Sequence, residues 1–164
     1  MKANYQTCLS DLLEIFEYRD GNLYWKKAIS KKTKIGKLAG SKCNDYKRVA
    51  FYGQEHYVHR VIFAMHYGFM PEFIDHIDND KSNNRIENLR QATWSQNQWN
   101  HKIRSDNKSG IKGVSWVSRD KLWKAQCTVN GVNNQLGHYK DLEEAKKVVI
   151  EFRQQNHGNF ANNG

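Results

Sequence analysis

The stretch DHIDNDKSNNRIENLR occupies residues 75–90 and begins with the adjacent pair Asp75-His76. A short apolar run precedes the pair and a loop rich in Asn, Asp and Ser follows it, which predicts a β-strand that ends at these two residues. Hydrolysis of a phosphodiester requires a general base to activate water and a cation to stabilise charge on the phosphate. An acidic side chain and an imidazole at one strand end could supply a metal ligand and that base.

A helix is expected after this stretch. Thr93 and Gln96 have the spacing of a capping box, in which each side chain hydrogen-bonds the backbone N–H of the other residue. The helix would carry Asn97, whose amide oxygen could be a second metal ligand. One carboxylate and one amide oxygen suit a hard cation that keeps several waters, so the sequence favours Mg²⁺ or Mn²⁺ over Zn²⁺.

Residues 10–103 resemble the HNH endonucleases, in particular the phage and intron-encoded homing type. Their ββα-metal motif has the same order of Asp-His, Asn and Asn. The resemblance implies that Asp75 and Asn97 bind the metal. The catalytic residues would be His76, as general base, and Asn88, which would brace the loop between the two strands. The implied substrate is double-stranded DNA, cut on one strand or on both.

Two alternatives for the metal ligands follow from the residues themselves. His101 lies one turn after Asn97 and could approach the ion or the scissile phosphate. Asn97 is preferred because it matches the Asn-type subgroup of the family at this spacing. Asp78, Asp80 and Ser82 are spaced like the ligands of a calcium loop, but the stretch lacks the central Gly and the Glu at the twelfth position.

Basic residues flank the Asp-His pair. Arg60, Arg85 and Arg90 are candidates for contacts to DNA phosphates, although Arg85 and Arg90 could equally be solvated surface charge. His59 opens a predicted apolar helix and is expected to have a structural role.

The pattern of apolar residues changes after residue 105. Residues 113–118, 122–129 and 132–139 alternate like strands, and Asn130-Gly131 is a strong signal for a tight turn between the last two. An apolar stripe at helical spacing follows. It contains Leu142, Ala145, Val148, Val149 and Phe152. This pattern predicts a three-stranded antiparallel sheet with one helix packed across it.

Residues 108–161 resemble the AP2 DNA-binding domain, in which the outer face of such a sheet lies in the DNA major groove. The resemblance implies a sheet face of long polar side chains that reach bases and phosphates. Trp123, Val114 and Leu136 are expected in the core. The alternative is a small sheet domain that steadies the rest of the chain without reading DNA. The expected DNA contacts are Lys112, Trp116, Lys124, Gln126, Thr128, Asn133 and Gln135.

Composition agrees with a nucleic-acid partner. The 164 residues include 26 Lys and Arg against 17 Asp and Glu, and a net charge of +9 attracts a polyanion. Cys8, Cys43 and Cys127 are too far apart for a cysteine metal site and are odd in number, so no disulfide framework is expected. Without a signal-like or membrane-spanning apolar run, the expected location is cytoplasmic, in the bacterial host cell if a phage encodes the protein.

The sequence therefore predicts an α+β protein of two domains. Residues 1–105 would form a ββα-metal HNH nuclease domain with an N-terminal β-rich extension, and residues 106–164 an AP2-like DNA-binding domain. The protein would act as a monomer on double-stranded DNA, with no membrane and no required protein partner. The rival interpretations are a non-catalytic DNA-binding regulator with a degenerate nuclease fold, and a protein that binds or cleaves RNA.

Overall fold

The computed structural model describes residues 9–163 as a mixture of helices and small antiparallel sheets, which confirms the general α+β class. The chain divides into two compact units, Met1–Gln91 and Ala92–Gly164. The helix predicted from the Thr93 capping box groups with the second unit, whereas the sequence placed a domain boundary at residue 105. The domain limits 1–105 and 106–164 stay a prediction. Cys8 lies outside the described residues.

The first unit begins with a helix, two small sheets and a second helix that follows directly from a strand. The turn Asp20-Gly21 joins the first hairpin with positive φ angles of 45° and 78°, as an Asp-Gly turn allows. In chain order the elements are α1 (Leu9–Ile15), β1 (Phe16–Arg19), β2 (Asn22–Trp25), β3 (Leu38–Ala39), β4 (Ser41–Cys43), β5 (Tyr46–Phe51), β6 (Gln54–Tyr57) and α2 (Val58–Tyr67).

An apolar core joins these elements. Ile15 and Phe16 at the α1–β1 junction, Leu23 of β2 and Ile62 of α2 are completely or almost completely buried. The Phe16 ring contacts the ring of Phe51 edge-on, with 5.2 Å between centroids. Because aromatic side chains bury the largest areas per residue, this contact ties the first sheet to the second.

Helix α2 ends at Gly68, whose φ of 77° allows its N–H to bond the carbonyl of Ala64. After a short connection the chain forms β7 (Phe73–His76), which pairs with β8 (Leu89–Ala92). The guanidinium of Arg60 in α2 donates to the carbonyls of Pro71 at 2.7 Å and Glu72 at 3.1 Å. These bonds attach the connection to the helix and so position the start of β7.

The second unit contains α3 (Trp94–Asn100), β9 (Val114–Val117), β10 (Leu122–Val129), β11 (Val132–Tyr139) and α4 (Leu142–His157). Strand β10 lies between β9 and β11 and is antiparallel to both. Val114, Ala125, Ala145 and Val149 form the core between this sheet and α4. Across residues 9–163, the structure has no helix long and apolar enough to cross a membrane.

Candidate active site

Asp75 and His76 are the last two residues of β7, and both are buried. The loop that follows returns to β8 through a 3-10 turn at Ile86–Asn88. The backbone N–H of Ile77 donates to the carbonyl of Asn88 at 3.0 Å and closes the loop. The loop therefore leaves and rejoins the strand pair at the Asp-His end.

The Asn88 side chain spans this loop. Its Oδ1 accepts from the Asp78 N–H at 3.1 Å, and its Nδ2 donates to Asp78 Oδ1 and to the Asn83 carbonyl, both at 2.8 Å. An amide can accept and donate at once, which is why one side chain is able to hold both ends of the loop. These bonds fix the loop relative to the end of β7.

The carboxylates of Asp78 and Asp80 accept hydrogen bonds from donors within the same loop. Asp78 accepts from the Asn83 amide at 2.7 Å and from the Asp80 N–H at 2.8 Å. Burial alone would raise the pKa of Asp78, but the bonds from Asn83, Asp80 and Asn88 lower it. Asp80 Oδ1 accepts from the Ser82 N–H and hydroxyl. The residues of the alternative calcium loop thus stabilise the loop by hydrogen bonds to one another.

Asp75 forms a buried ion pair with Arg90 of β8. Arg90 Nε and Nη2 approach Asp75 Oδ2 at 2.8 and 2.7 Å, and the two side chains are 17% and 5% exposed. A buried carboxylate requires such compensation because the loss of hydration is costly. Arg90, expected at a DNA phosphate, is therefore placed on the candidate metal ligand, and its contact with DNA stays a prediction.

His76 bonds a residue that the sequence analysis did not single out. His76 Nε2 lies 3.0 Å from Asn84 Oδ1, and Asn84 is 1% exposed. Because an amide oxygen can only accept, Nε2 carries the proton and donates in this arrangement. In that tautomer the other ring nitrogen, Nδ1, carries no proton. Asn84 is one of several Asn residues in the loop, and nothing in its spacing distinguishes it from the others.

His59 forms one wall around His76. The two imidazoles meet edge-on with 5.0 Å between centroids, and His59 also stacks on the ring of Tyr57 at 5.5 Å. Burial, with smaller contributions from His76 and Arg60, lowers the pKa of His59 to about 3. Its Nδ1 is buried without a hydrogen-bond partner among the described residues. His59 is therefore a neutral, buried ring, in line with its expected structural role.

The other two arginines differ in placement. Arg60 is half-buried and its guanidinium is engaged with the carbonyls that follow α2. Arg85 is exposed and lies 3.8 Å from Asp20 Oδ1, also exposed. An ion pair between two solvated side chains contributes little to stability, so Arg85 is available to a polyanion.

Asn97 and His101 belong to the second unit. The Thr93 capping box is present with both of its hydrogen bonds, and Asn97 lies inside α3. His101 is the C-terminal cap of this helix, with a helical φ of −54° and an extended ψ of 147°. That ψ redirects only the residues that follow, so His101 still lies one turn after Asn97, and the choice between the two stays a prediction.

The donor chemistry fits a hard cation. Among residues 9–163, no group of three or more His, Cys, Asp or Glu side chains could hold a metal. Mg²⁺ does not need such a group, because it is commonly bound through one or two carboxylates and keeps several waters. The Asp75 carboxylate is held in a fixed orientation by Arg90.

The predicted DNA contacts of the second unit divide between the two faces of the sheet. Cross-strand partners share a face, and the pairs Gln126↔Gln135 and Thr128↔Asn133 alternate with the buried Ala125 and Cys127. Lys124 lies on the same outer face. These five residues, Lys124, Gln126, Thr128, Asn133 and Gln135, form the outer face as expected, and their contact with DNA stays a prediction.

Trp116 lies on the other face of the sheet and Lys112 precedes β9, and the contact of each with DNA stays a prediction. Trp116 is directly opposite Trp123, with ring centroids 5.0 Å apart, and therefore shares the α4 side of the sheet with Val114. The physical reason is the two-residue period of a strand, which gives Trp116 and Val114 the same direction. Lys112 donates from Nζ to the carbonyl of Trp99 at 3.2 Å.

Comparisons with known proteins match this part of the chain. A family model described as HNH endonuclease matches residues 56–99. Protein 3.8 of Escherichia phage T7 is 36% identical over 89 residues, which cover 54% of this chain and 73% of that protein. The uncharacterized HNH endonuclease L560 of Acanthamoeba polyphaga mimivirus is 33% identical over 107 residues, 63% of this chain but only 54% of that protein. No solved structure matches the chain.

The neutral state of His59 predicts a loss of stability in mild acid. The pKa of His59 is about 3 in the folded chain and about 6.5 when unfolded, so between these values the unfolded chain binds the extra proton. The free energy of unfolding should thus fall below pH 6.5, by up to about 1.4 kcal/mol per pH unit from this residue. Urea unfolding between pH 7.5 and 5 would measure it. His59→Phe should reduce the slope, and an unchanged slope would contradict the assignment.

Proposed function

The chain belongs to the same family as protein 3.8 of phage T7 and contains an HNH endonuclease domain, and on this basis we propose that it hydrolyses phosphodiester bonds of double-stranded DNA with Mg²⁺ or Mn²⁺. The observation that carries the proposal is the end of β7, where Asp75 and His76 are buried side by side next to a loop closed by Asn88. The proposal includes the homing type of enzyme and a monomeric, cytoplasmic protein.

His76 acts as the general base in this proposal. The Nε2–H···Oδ1 bond to Asn84 fixes the ring and its tautomer, so that Nδ1 is the nitrogen able to accept a proton from the attacking water. The buried, neutral His59 packs against the ring and limits its rotation. Asn84 is thus a positioning residue, since it would act on the reaction only through His76.

The proposed metal ligands are Asp75 and Asn97. A bound Mg²⁺ or Mn²⁺ would stabilise the negative charge on the phosphate and on the leaving oxygen. The chain's own contribution is the orientation of its oxygens: Arg90 holds the Asp75 carboxylate, and the capping box begins the helix that carries Asn97. Asn88 keeps the loop closed behind His76.

DNA binding is assigned to the second unit together with the basic surface of the chain. The polar outer face of the sheet β9–β10–β11, supported from behind by α4, is the surface expected for an AP2-like reader. Arg85 is an exposed basic residue near the proposed active site and adds a candidate phosphate contact.

One observation favours a second candidate, a DNA-binding regulator without nuclease activity. The Asp75 carboxylate is already neutralised by Arg90, so its burial does not by itself require a cation. The two candidates share the DNA-binding sheet and differ only in the chemistry at Asp75 and His76.

Plasmid cleavage separates the two candidates. Purified protein with Mg²⁺ should convert supercoiled plasmid into open-circle or linear product, and EDTA should stop the reaction until Mg²⁺ or Mn²⁺ is restored in excess. Gel analysis measures both results and also distinguishes a nick from a double-strand cut. DNA binding without any cleavage would favour the regulator, and cleavage undiminished by the chelator would exclude a site built from Asp75 and Asn97.

Replacement of His76 tests the general base. His76→Ala should lower the single-turnover cleavage rate by roughly 10²-fold or more, the usual scale for a positioned base, while duplex affinity changes little. His66→Ala is the control, because His66 is an exposed histidine of α2. A His76→Ala protein that cuts as fast as the His66→Ala protein would disprove the role.

Replacement of Asn84 tests the positioning bond. Asn84→Leu removes the acceptor for His76 Nε2 and should reduce the cleavage rate by about tenfold or more. Asn84→Asp keeps an oxygen at the same place and should restore most of the rate. Thermal unfolding of both variants gives the structural contribution separately. Equal rates for the two variants, at equal folded fractions, would show that the oxygen does not position His76.

A further inference from the structure

A cavity of about 400 Å³ lies within the second unit, beside the part of β10 that extends beyond its pairing with β9. The pairing of the two strands ends at Ala125↔Val114, and only the Gln126 N–H still bonds the Gly113 carbonyl. The volume is within the range of about 300–1,000 Å³ typical of ligand sites. Its walls come from α3, β10 and α4 and include Trp94, Trp99, Lys112, Gln126, Arg153 and His157.

Two cations line this cavity. Lys112 is half-buried and Arg153 is only 5% exposed, and no Asp or Glu is among the described residues that line the walls. Burial, and to a smaller extent Arg153, lowers the pKa of Lys112 to about 8, and burial also lowers the pKa of Arg153. Buried cations normally have an anionic partner because desolvation is costly.

The contacts of these cations are with neutral groups. Lys112 donates to the Trp99 carbonyl at 3.2 Å, and Arg153 donates from Nη1 to Asn163 Oδ1 at 3.4 Å and also bonds the thiol of Cys127. Across residues 9–163, neither cation takes part in a salt bridge. The walls therefore present positive charge that an anion would compensate.

The aromatic side chains add a second property. Trp99 stacks on His157, with ring centroids 4.0 Å apart and an angle of 4° between planes. His157 is 6% exposed, and its Nδ1 is buried with no hydrogen-bond partner among the described residues. Trp94 is 59% exposed. An exposed aromatic ring beside a cationic cavity is the combination with which proteins bind single-stranded nucleic acid, by stacking on an unpaired base and pairing with a phosphate.

We propose that this cavity binds a phosphate group of a DNA strand, with Lys112 and Arg153 as its cationic partners and Trp94 as a platform for a neighbouring base. The inference rests on the proposed DNA-directed function and adds a contact at the edge of β10 that extends beyond β9. Lys112, Gln126 and Thr128, which the sequence analysis assigned to DNA, all line the cavity. A DNA strand is favoured over a small anion because of the exposed ring and the net charge of +9.

Duplex affinity measured in EDTA tests the cationic contact without cleavage. Lys112→Gln should weaken the binding of a labelled duplex by about tenfold and reduce the slope of log affinity against log salt by about one. Lys147→Gln is the matched control, since it removes the same charge from an exposed position of α4 outside the cavity. Affinity and slope for Lys112→Gln equal to those of the control would overturn the proposal.

Inorganic phosphate distinguishes the source of the phosphate group. Tryptophan fluorescence of the wild-type chain should change on titration with phosphate, and this change should be absent from Lys112→Gln. Loss of both phosphate and duplex binding supports the proposal. Loss of phosphate binding with normal duplex affinity would show a site for a free anion and overturn the DNA assignment.

Trp94→Ala provides the second variant, because its exposed ring contributes little to folding. It should weaken the binding of single-stranded DNA severalfold relative to Lys147→Gln, even where Lys112→Gln does not fold. Control-like affinity for a folded Trp94→Ala protein would overturn the base platform.

Plasmid cleavage by the same preparations distinguishes a failure of the cavity proposal from a failure of the proposed function. If the wild-type protein cleaves DNA and the cavity variants bind DNA like the control, only the cavity proposal is refuted. If the wild-type protein neither binds nor cuts DNA, the proposed function is refuted.

Discussion

The ion pair between Asp75 and Arg90 is the interaction on which the candidate active site depends. Both side chains are largely buried, and they belong to paired strands, β7 and β8. A slip of one residue in this pairing would turn one of the two side chains to the opposite face and leave two charges unpaired. The pair therefore fixes the register of the two strands, and the register in turn fixes the direction of His76, the next residue along β7.

Around His76, the loop and the helix α2 contribute different constraints. Asn84 supplies an acceptor for Nε2, while His59 supplies a neutral ring that packs against the imidazole without competing for its proton. The neutrality of His59 is a consequence of burial, so the same core that positions α2 also determines the charge beside His76. The packing of the core around α2 and the absence of charge beside His76 therefore have the same cause.

The sequence could predict the parts of the site that depend on local patterns. The Thr93–Gln96 spacing is sufficient for the α3 cap because a capping box involves only neighbouring residues. Asn84 could not be chosen among the loop asparagines, since its role depends on a contact with His76 across the loop. The direction of Trp116 was accessible in principle, because it has the same parity as the core residue Val114.

In helix α4, too, the sequence pattern predicts the core residues but not the residues whose role depends on distant contacts. Its buried stripe continues from Ala145 and Val149 to Arg153 and His157 at intervals of four residues, so the line that begins as apolar core ends as a polar cavity wall. Apolar periodicity locates only the first half of this line. The spacing also identifies Arg153 and His157 as the continuation of this line. Their role as a cavity wall depends on Lys112, which is distant from them in the sequence.

The ion pair at Asp75 and the cations of the cavity differ in one physical respect. At Asp75 the charge is compensated internally, so that the orientation of the carboxylate is fixed before any cation or DNA arrives. In the cavity, the buried Arg153 and the half-buried Lys112 are two like charges among neutral partners, and burial lowers the pKa of both. An internally compensated group is stable on its own and suits a role in orientation, whereas an uncompensated group gains stability when an anion binds. The first arrangement fits a preorganised catalytic ligand, and the second fits a contact that is completed by the substrate.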